Sequence, residues 1–137
     1  AAHVAGCWTH RKNLSEMILL KDNHLRFFPN ALEAARKAKA TGKKFEIEAE
    51  TQAQALEVAG AQPDMILLDN FSPKDAKKTI AKLRKKGFRG QIELSGGISL
   101  KNLKEYSNLG ADIISMGELT KKAKIMDFSL DIAEVKA

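Results

Sequence analysis

A single cysteine, Cys7, is the whole thiol inventory of this chain, so no internal disulfide can form. That usage is compatible with a reducing compartment, and a cytoplasmic location is expected. Apolar residues never run on for the roughly 20 positions a membrane-crossing helix needs, so no membrane role is expected. Ala1-Ala2-His3-Val4 has neither the basic start nor the long apolar stretch of a secretory signal. Aromatics are scarce as well: one Trp, one Tyr and six Phe offer little surface on which bases could stack. No nucleic-acid partner is expected, despite a net charge of +6. Histidine is rarer still, and His3, Cys7 and His10 lack both a fourth ligand and a recognised zinc spacing.

What the chain does have is enough apolar material for one core. Of its 137 residues 44% are hydrophobic and 29% charged, the balance of a folded domain rather than a disordered chain. No linker or low-complexity stretch divides it, so residues 1–137 read as one domain. Much of the positive surplus sits in Lys74, Lys77, Lys78, Lys82, Arg84, Lys85 and Lys86. These alternate with Ala76, Ile80, Ala81 and Leu83, the pattern of a solvated helix face. A positive field still draws small polyanions toward the protein.

Short apolar strands and helix signals alternate along the sequence. Met17–Leu20 is an apolar run that ends at Lys21-Asp22-Asn23-His24. Asn30 can cap a helix through about Lys39, with Gly42 placed to stop it. Phe45, Ile47 and Ala49 alternate with Glu46, Glu48 and Glu50, a period-two strand. Thr51 caps the next helix, whose buried face is expected to carry Ala53, Ala55, Leu56, Val58 and Ala59. Met65–Leu68 reads as a strand buried on both faces, halted at Asp69-Asn70. Ser72-Pro73 opens a further helix and Gly87 closes it. Ile92–Leu94 is the next strand, followed by Ser95-Gly96-Gly97 and by Ser99, the expected cap of a helix carrying Leu100, Leu103 and Tyr106. Ile113–Met116 is the last strand, ending at Gly117.

Strands that each lead into a helix imply an α/β fold, a partial parallel β/α barrel. Five to six strands are expected, the sixth if Ala2–Gly6 forms one, against about eight in a closed barrel of this kind. The first and last strands then carry unpaired edges unless another subunit or segment covers them.

Chemistry-bearing residues fall at the strand ends. Lys21, Glu48, Asp69, Ser95 and Gly117 are separated by 27, 21, 26 and 22 residues, each enough for one helix and one return strand. A parallel sheet gathers such ends on one rim, where β/α enzymes hold their sites. A lysine, two carboxylates and two glycine turns there suit an anionic, phosphorylated substrate with a divalent metal.

Each residue also has a plainer reading. His10-Arg11 can be surface polarity or an anion fork. His24 fits a loop hydrogen bond better than catalysis. Glu46, Glu48 and Glu50 share one strand face. Either that face points outward near an edge, paired with helix lysines, or Glu48 points into the site with Asp69, where two acids hold Mg²⁺ or ribose hydroxyls. Ser95-Gly96-Gly97 is either a tight turn or a phosphate cradle at the start of a helix. Glu93 can orient its neighbours from behind.

Taken together, His10-Arg11, Leu20-Lys21-Asp22-Asn23-His24, Glu46-Ile47-Glu48, Leu67-Leu68-Asp69-Asn70-Phe71-Ser72, Glu93-Leu94-Ser95-Gly96-Gly97-Ile98 and Ser115-Met116-Gly117-Glu118-Leu119-Thr120 resemble quinolinate phosphoribosyltransferase. This family is also called nicotinate-nucleotide pyrophosphorylase (carboxylating). The resemblance runs from about Gly6 to Ile132 and covers the C-terminal barrel portion of a family member. It implies transfer of a phosphoribosyl group from phosphoribosyl pyrophosphate to quinolinate with decarboxylation, giving nicotinate mononucleotide for NAD synthesis. It implies that His10, Arg11 and Lys21 meet the quinolinate carboxylates, and that Glu48 and Asp69 serve the ribose and Mg²⁺, directly or through water. Lys21, Glu48 and Asp69 are the implied catalytic set. Ser95, Gly96, Gly97 and Gly117 are implied to hold the 5′-phosphate. Two departures accompany it. Ala5-Gly6-Cys7 stands where the family has three glycines, and the family's N-terminal domain and Thr-Arg-Lys-Thr strand have no counterpart in these residues. A homo-oligomer, or a partner supplying that region, is therefore expected. The rival expectations are a related phosphoribosyltransferase-like protein associated with molybdenum transport, or a non-catalytic barrel segment that assembles with a partner.

Overall fold

The computed structural model describes Val4, Gly6, Cys7 and residues 15–121. Five strands form one sheet in sequential order: β1 (Ile18–Leu20), β2 (Phe45–Ala49), β3 (Met65–Asp69), β4 (Gln91–Ser95) and β5 (Ile113–Ile114). Every neighbouring pair is parallel. The helices are α1 (Asp22–Leu25), α2 (Ala31–Ala40), α3 (Gln52–Val58, continued by a 3₁₀ turn at Ala59–Ala61), α4 (Pro73–Lys85), α5 (Leu103–Tyr106) and α6 (Glu118–Lys121). This is the expected α/β architecture, a stretch of parallel β/α barrel. Of the suggested sixth strand at Ala2–Gly6, only Val4 and Gly6 are described, and both lie in turns.

The helix starts follow from their caps. Asn30, Thr51 and Ser72 each accept a hydrogen bond from the backbone N–H three residues on, those of Glu33, Gln54 and Asp75. Each satisfies one donor that a helix start leaves open, at a gain of about 1 kcal/mol. Pro73 opens α4, where its missing N–H costs nothing.

The two faces of the sheet differ in chemistry. Phe45, Ile47, Ala49, Ile66, Leu68, Ile92 and Leu94 alternate to one side and form the core with Ala35 and Ala38 of α2, Val58 of α3, and Ile80 and Leu83 of α4. Burying a side chain such as Leu83 is worth about 1.5–3 kcal/mol, so this layer dominates stability. The register sets Glu46 beside Met65 and Glu48 beside Leu67 and Glu93 on the opposite side, away from the helices.

That register corrects one expectation. The carboxylates of β2 do not face outward toward helix lysines. The helices cover the Phe45–Ile47–Ala49 side, and Glu46 is fully buried on the other. Two smaller corrections concern helix faces. Ala53 is exposed, because Ala55 and Val58 of α3 are the residues buried against the core and Leu56 packs beside them. Leu100 is exposed too, because α5 begins only at Leu103.

Aspartates lock the opposite, N-terminal end of the strands. Asp64 accepts from Phe45 N–H through Oδ2 at 3.0 Å, and its own N–H donates to Phe45 O at 3.1 Å. Asp112 repeats the device two strands further on: Oδ2 accepts from Ile92 N–H at 2.7 Å, and its N–H donates to Ile92 O at 2.9 Å. Arg84 joins Asp112 at 2.7 Å and also donates to the carbonyls of Phe88 and Gly90. So Arg84, read from sequence as part of a solvated face, is instead a half-buried tie between α4 and the sheet. Lys74, Lys77, Lys78, Lys82, Lys85 and Lys86 are exposed as that reading expects.

Candidate functional site

Glu48 is the penultimate residue of β2 and Asp69 ends β3, on neighbouring strands. Glu48 sits level with Leu67 in the ladder, and Asp69 lies two residues beyond Leu67. Alternation along a strand therefore sends both carboxylates to the same side, away from the helices. Continuing the β1–β2 register by one residue sets Lys21 level with Glu48.

These groups act on each other electrostatically. Burial pushes the Glu48 carboxyl above its ordinary value, the Asp69 charge pushes it further, and the Lys21 ammonium pulls it back. Asp22 and Glu50 add smaller upward pushes. A half-buried pair of acids with one cation beside it is an electron-rich seat for a cation or a hydroxyl-bearing sugar. Behind it, Glu93 is buried on the same face, level with Leu67 and next to Ile113.

The glycine loop adjoins the acids. Asp69 pairs with Ser95 in the β3–β4 ladder, and Ser95 leads into Gly96 at φ +85° and Gly97 at φ +65°. A side chain at Gly96 would run into Asn70, with its Cβ 2.7 Å from the Asn70 backbone nitrogen, so this position is closed by packing. At Gly97 nothing lies within 4 Å of such a Cβ, so its backbone faces open space. The turn at Gly117 is drawn to the same loop, because Glu118 Oε2 accepts from Leu100 N–H at 2.8 Å. A Cβ at Gly117 would meet only the flexible Lys121 side chain, at 3.8 Å, so local packing does not demand glycine there.

One expected contributor is weak. α5 is a four-residue turn that starts at Leu103, well after Gly97. Its dipole is small and distant, so any anion held here depends on loop N–H groups instead. Ser99 is not the cap. Its N–H donates to Asn102 Oδ1 at 2.8 Å, so Asn102 folds the loop back. His24 is a loop residue: its Nδ1 accepts from Lys21 N–H at 3.1 Å and fixes the turn after β1. His10 and Arg11 lie outside the described residues.

Asn70 joins these groups, though its place in the sequence assigns it no role of its own. It adopts φ +56°, donates to the Asp69 carboxylate through its side chain, and donates through its N–H to Ser95 O at 2.9 Å. An asparagine directly after a strand-ending acid was the available signal, since Asn tolerates the left-handed region. Asn70 also walls a cleft of about 320 Å³ with Glu50, Thr51, Phe71, Ser72 and Lys78, on the helix side of the rim.

No three His, Cys, Asp or Glu residues converge as a metal cage among the described residues. Glu48 and Asp69 suit the other mode of a hard cation, one or two carboxylates completed by water and substrate oxygens. The raised Glu48 carboxyl fits that donor set, because a cation between the two acids would relieve their repulsion.

Residues 1–131 match the family model for the C-terminal domain of quinolinate phosphoribosyl transferase. The chain belongs to this family. It is 36% identical to a probable nicotinate-nucleotide pyrophosphorylase [carboxylating] of Methanothermobacter thermautotrophicus, over 99% of this chain and 50% of that protein. It is 37% identical to the human nicotinate-nucleotide pyrophosphorylase [carboxylating], over 94% of this chain and 44% of that one. Among solved structures, NadC from Streptococcus pyogenes superposes with a TM-score of 0.82 at 37% identity, covering 93% of this chain and 45% of that one. A thiamine phosphate pyrophosphorylase from Pyrococcus furiosus shares the fold alone, with a TM-score of 0.56 at 17% identity over 74% of this chain. The chain thus spans about half the length of the relatives it matches.

Proposed function

We propose that the chain forms the sugar-phosphate rim of a phosphoribosyltransferase that joins phosphoribosyl pyrophosphate to quinolinate. In this reaction the pyridine nitrogen bonds to C1′ of the ribose and the C1′–pyrophosphate bond breaks. The 2-carboxylate leaves as CO₂ and the ring carbon takes up a proton, giving nicotinate mononucleotide. The observation that carries the reading is the convergence of Lys21, Glu48 and Asp69 beside the Ser95–Gly97 loop, in a chain of this family.

Roles follow from chemistry. Glu48 and Asp69 accept hydrogen bonds from ribose hydroxyls, and their negative charge favours the positive charge that develops at C1′. Both would hold Mg²⁺, which when bound neutralises the departing pyrophosphate. Lys21, together with His10 and Arg11, binds the substrate carboxylates. The backbone N–H groups of Gly97 and Gly117, with the Ser95 hydroxyl, hold the 5′-phosphate. A cytoplasmic setting, and a second copy or partner chain that supplies further basic contacts, belong to the same proposal.

Calorimetric titration with phosphoribosyl pyrophosphate and Mg²⁺ tests it. Saturable binding that the double variant Glu48→Ala/Asp69→Ala abolishes is the expected result. Binding that survives the double variant unchanged would sink the assignment of the acids.

A further inference from the structure

We infer that Asn70 is a positioning residue, one that holds the Asp69 carboxylate against the Ser95–Gly97 loop. The inference rests on the sugar-phosphate reading of the site above. Its backbone sits at φ +56°, a region that costs most side chains about 1–2 kcal/mol and that Asn tolerates best after Gly. From there the residue makes contacts in two directions. Its carboxamide N–H donates to Asp69 Oδ2, and its backbone N–H donates to Ser95 O at 2.9 Å. The same side chain occupies the space that a Cβ on Gly96 would need. Asn70 thus bridges the acid and the glycine loop.

The chemical consequence is directional. A carboxylate at a strand end would otherwise swing among rotamers. With Oδ2 engaged by the Asn70 amide, Asp69 presents its other oxygen to a ribose hydroxyl or hydrated cation. The loop that faces the phosphate is fixed relative to it. Alignment of sugar and phosphate then depends on one side chain that itself touches neither.

The test separates the amide from the turn it sits in. Asn70→Gly keeps the left-handed backbone and removes only the carboxamide, and Asn70→Asp keeps the shape but replaces the donor with a second carboxylate. Melting temperature by circular dichroism and affinity for phosphoribosyl pyrophosphate with Mg²⁺ by calorimetry are read for both, alongside Asp69→Asn. The expected result for Asn70→Gly is a near wild-type melting temperature with affinity weakened about 10- to 100-fold, the scale of a hydrogen bond to a charged group. Asn70→Asp is expected to weaken binding at least as much, and a crystal structure of Asn70→Gly to show Asp69 turned from its wild-type rotamer. If Asn70→Gly binds like wild type while Asp69→Asn does not, Asn70 is a turn residue only and the inference falls alone. If wild type binds but Asp69→Asn changes nothing, or if wild type does not bind at all, the reading of the site falls and this inference with it.

Discussion

Glu48 and Asp69 stand at the ends of adjacent parallel strands on one face of the sheet, and the charge on Asp69 is second only to burial in raising the Glu48 carboxyl. For an acid, a raised folded-state value means that the native protein binds this proton more tightly than the unfolded chain does. Any stabilisation it gives is therefore complete below the unfolded value near 4.5 and is lost as pH rises through the higher native value. At neutral pH the ionised Glu48 is thus a burden on the fold. Glu48→Gln is expected to raise the melting temperature at pH 7 by about 1–3 °C, a small gain because solvent screens a half-exposed group. The gain should vanish near pH 4, while Mg²⁺-dependent ligand binding is lost at both. A variant that melts below wild type at neutral pH would contradict this account.

Lys21 opposes that burden, since its charge is the one influence that lowers the Glu48 value. Lys21→Met removes the cation while keeping an unbranched apolar stem. The Glu48 carboxyl should then titrate at still higher pH, as read by NMR of its side-chain carbon. Affinity for an anionic pyridine dicarboxylate should fall by about tenfold, and its dependence on salt should flatten.

The repeating strands and caps were legible because local chemistry dictates them. Asn30, Thr51 and Ser72 cap helices through their own side chains, and period-two alternation marked Phe45–Ala49 as β2. The acids and glycines of the rim could be named because a parallel sheet must collect strand ends on one side. The facing of the β2 carboxylates could not be read, since alternation shows that two faces differ but not which one the helices cover. Arg84 and Asp112 escaped notice for a related reason. The two lie 28 positions apart, and nothing in a lysine-rich helix distinguishes the cation that ties it to the sheet. Ser99 misled because a serine before an apolar run looks like a cap, whereas Asn102 three residues later folds the loop back instead.

Gly96 and Gly97 are neighbours with different constraints, and substitution should separate them. Both have positive φ, which costs an alanine about 1–2 kcal/mol at either position. Gly96→Ala must also displace Asn70, adding an overpacking cost of about 1–3 kcal/mol. Thermal melts are expected to rank wild type first, then Gly97→Ala, then Gly96→Ala. Gly97→Ala should nevertheless lose most of its affinity for inorganic phosphate, because its new methyl group fills the space that faces the ligand. Equal melting temperatures for the two variants would show that Asn70 yields without cost.

The Arg84–Asp112 tie is remote from the rim and offers a control in which fold and function part company. Asp112 Oδ2 serves both the Arg84 guanidinium and the N–H of Ile92, a fully buried strand residue. Asp112→Ala strands that N–H and removes the acceptor of Arg84 Nη2, leaving Nη1 still bonded to Phe88 O and Gly90 O. The expected loss is about 2 kcal/mol, or about 6–10 °C in melting temperature. Asp112→Asn keeps an oxygen for Ile92 N–H and loses only the charge on Arg84, so it should lose less than half as much. Neither change alters the acids or the glycine loop, so phosphoribosyl pyrophosphate should bind both variants within about twofold of wild type below their melting temperatures, as additivity of distant sites requires. Weakened binding by Asp112→Asn at a temperature where it is fully folded would mean that the N-terminal end of the strands is energetically linked to the rim.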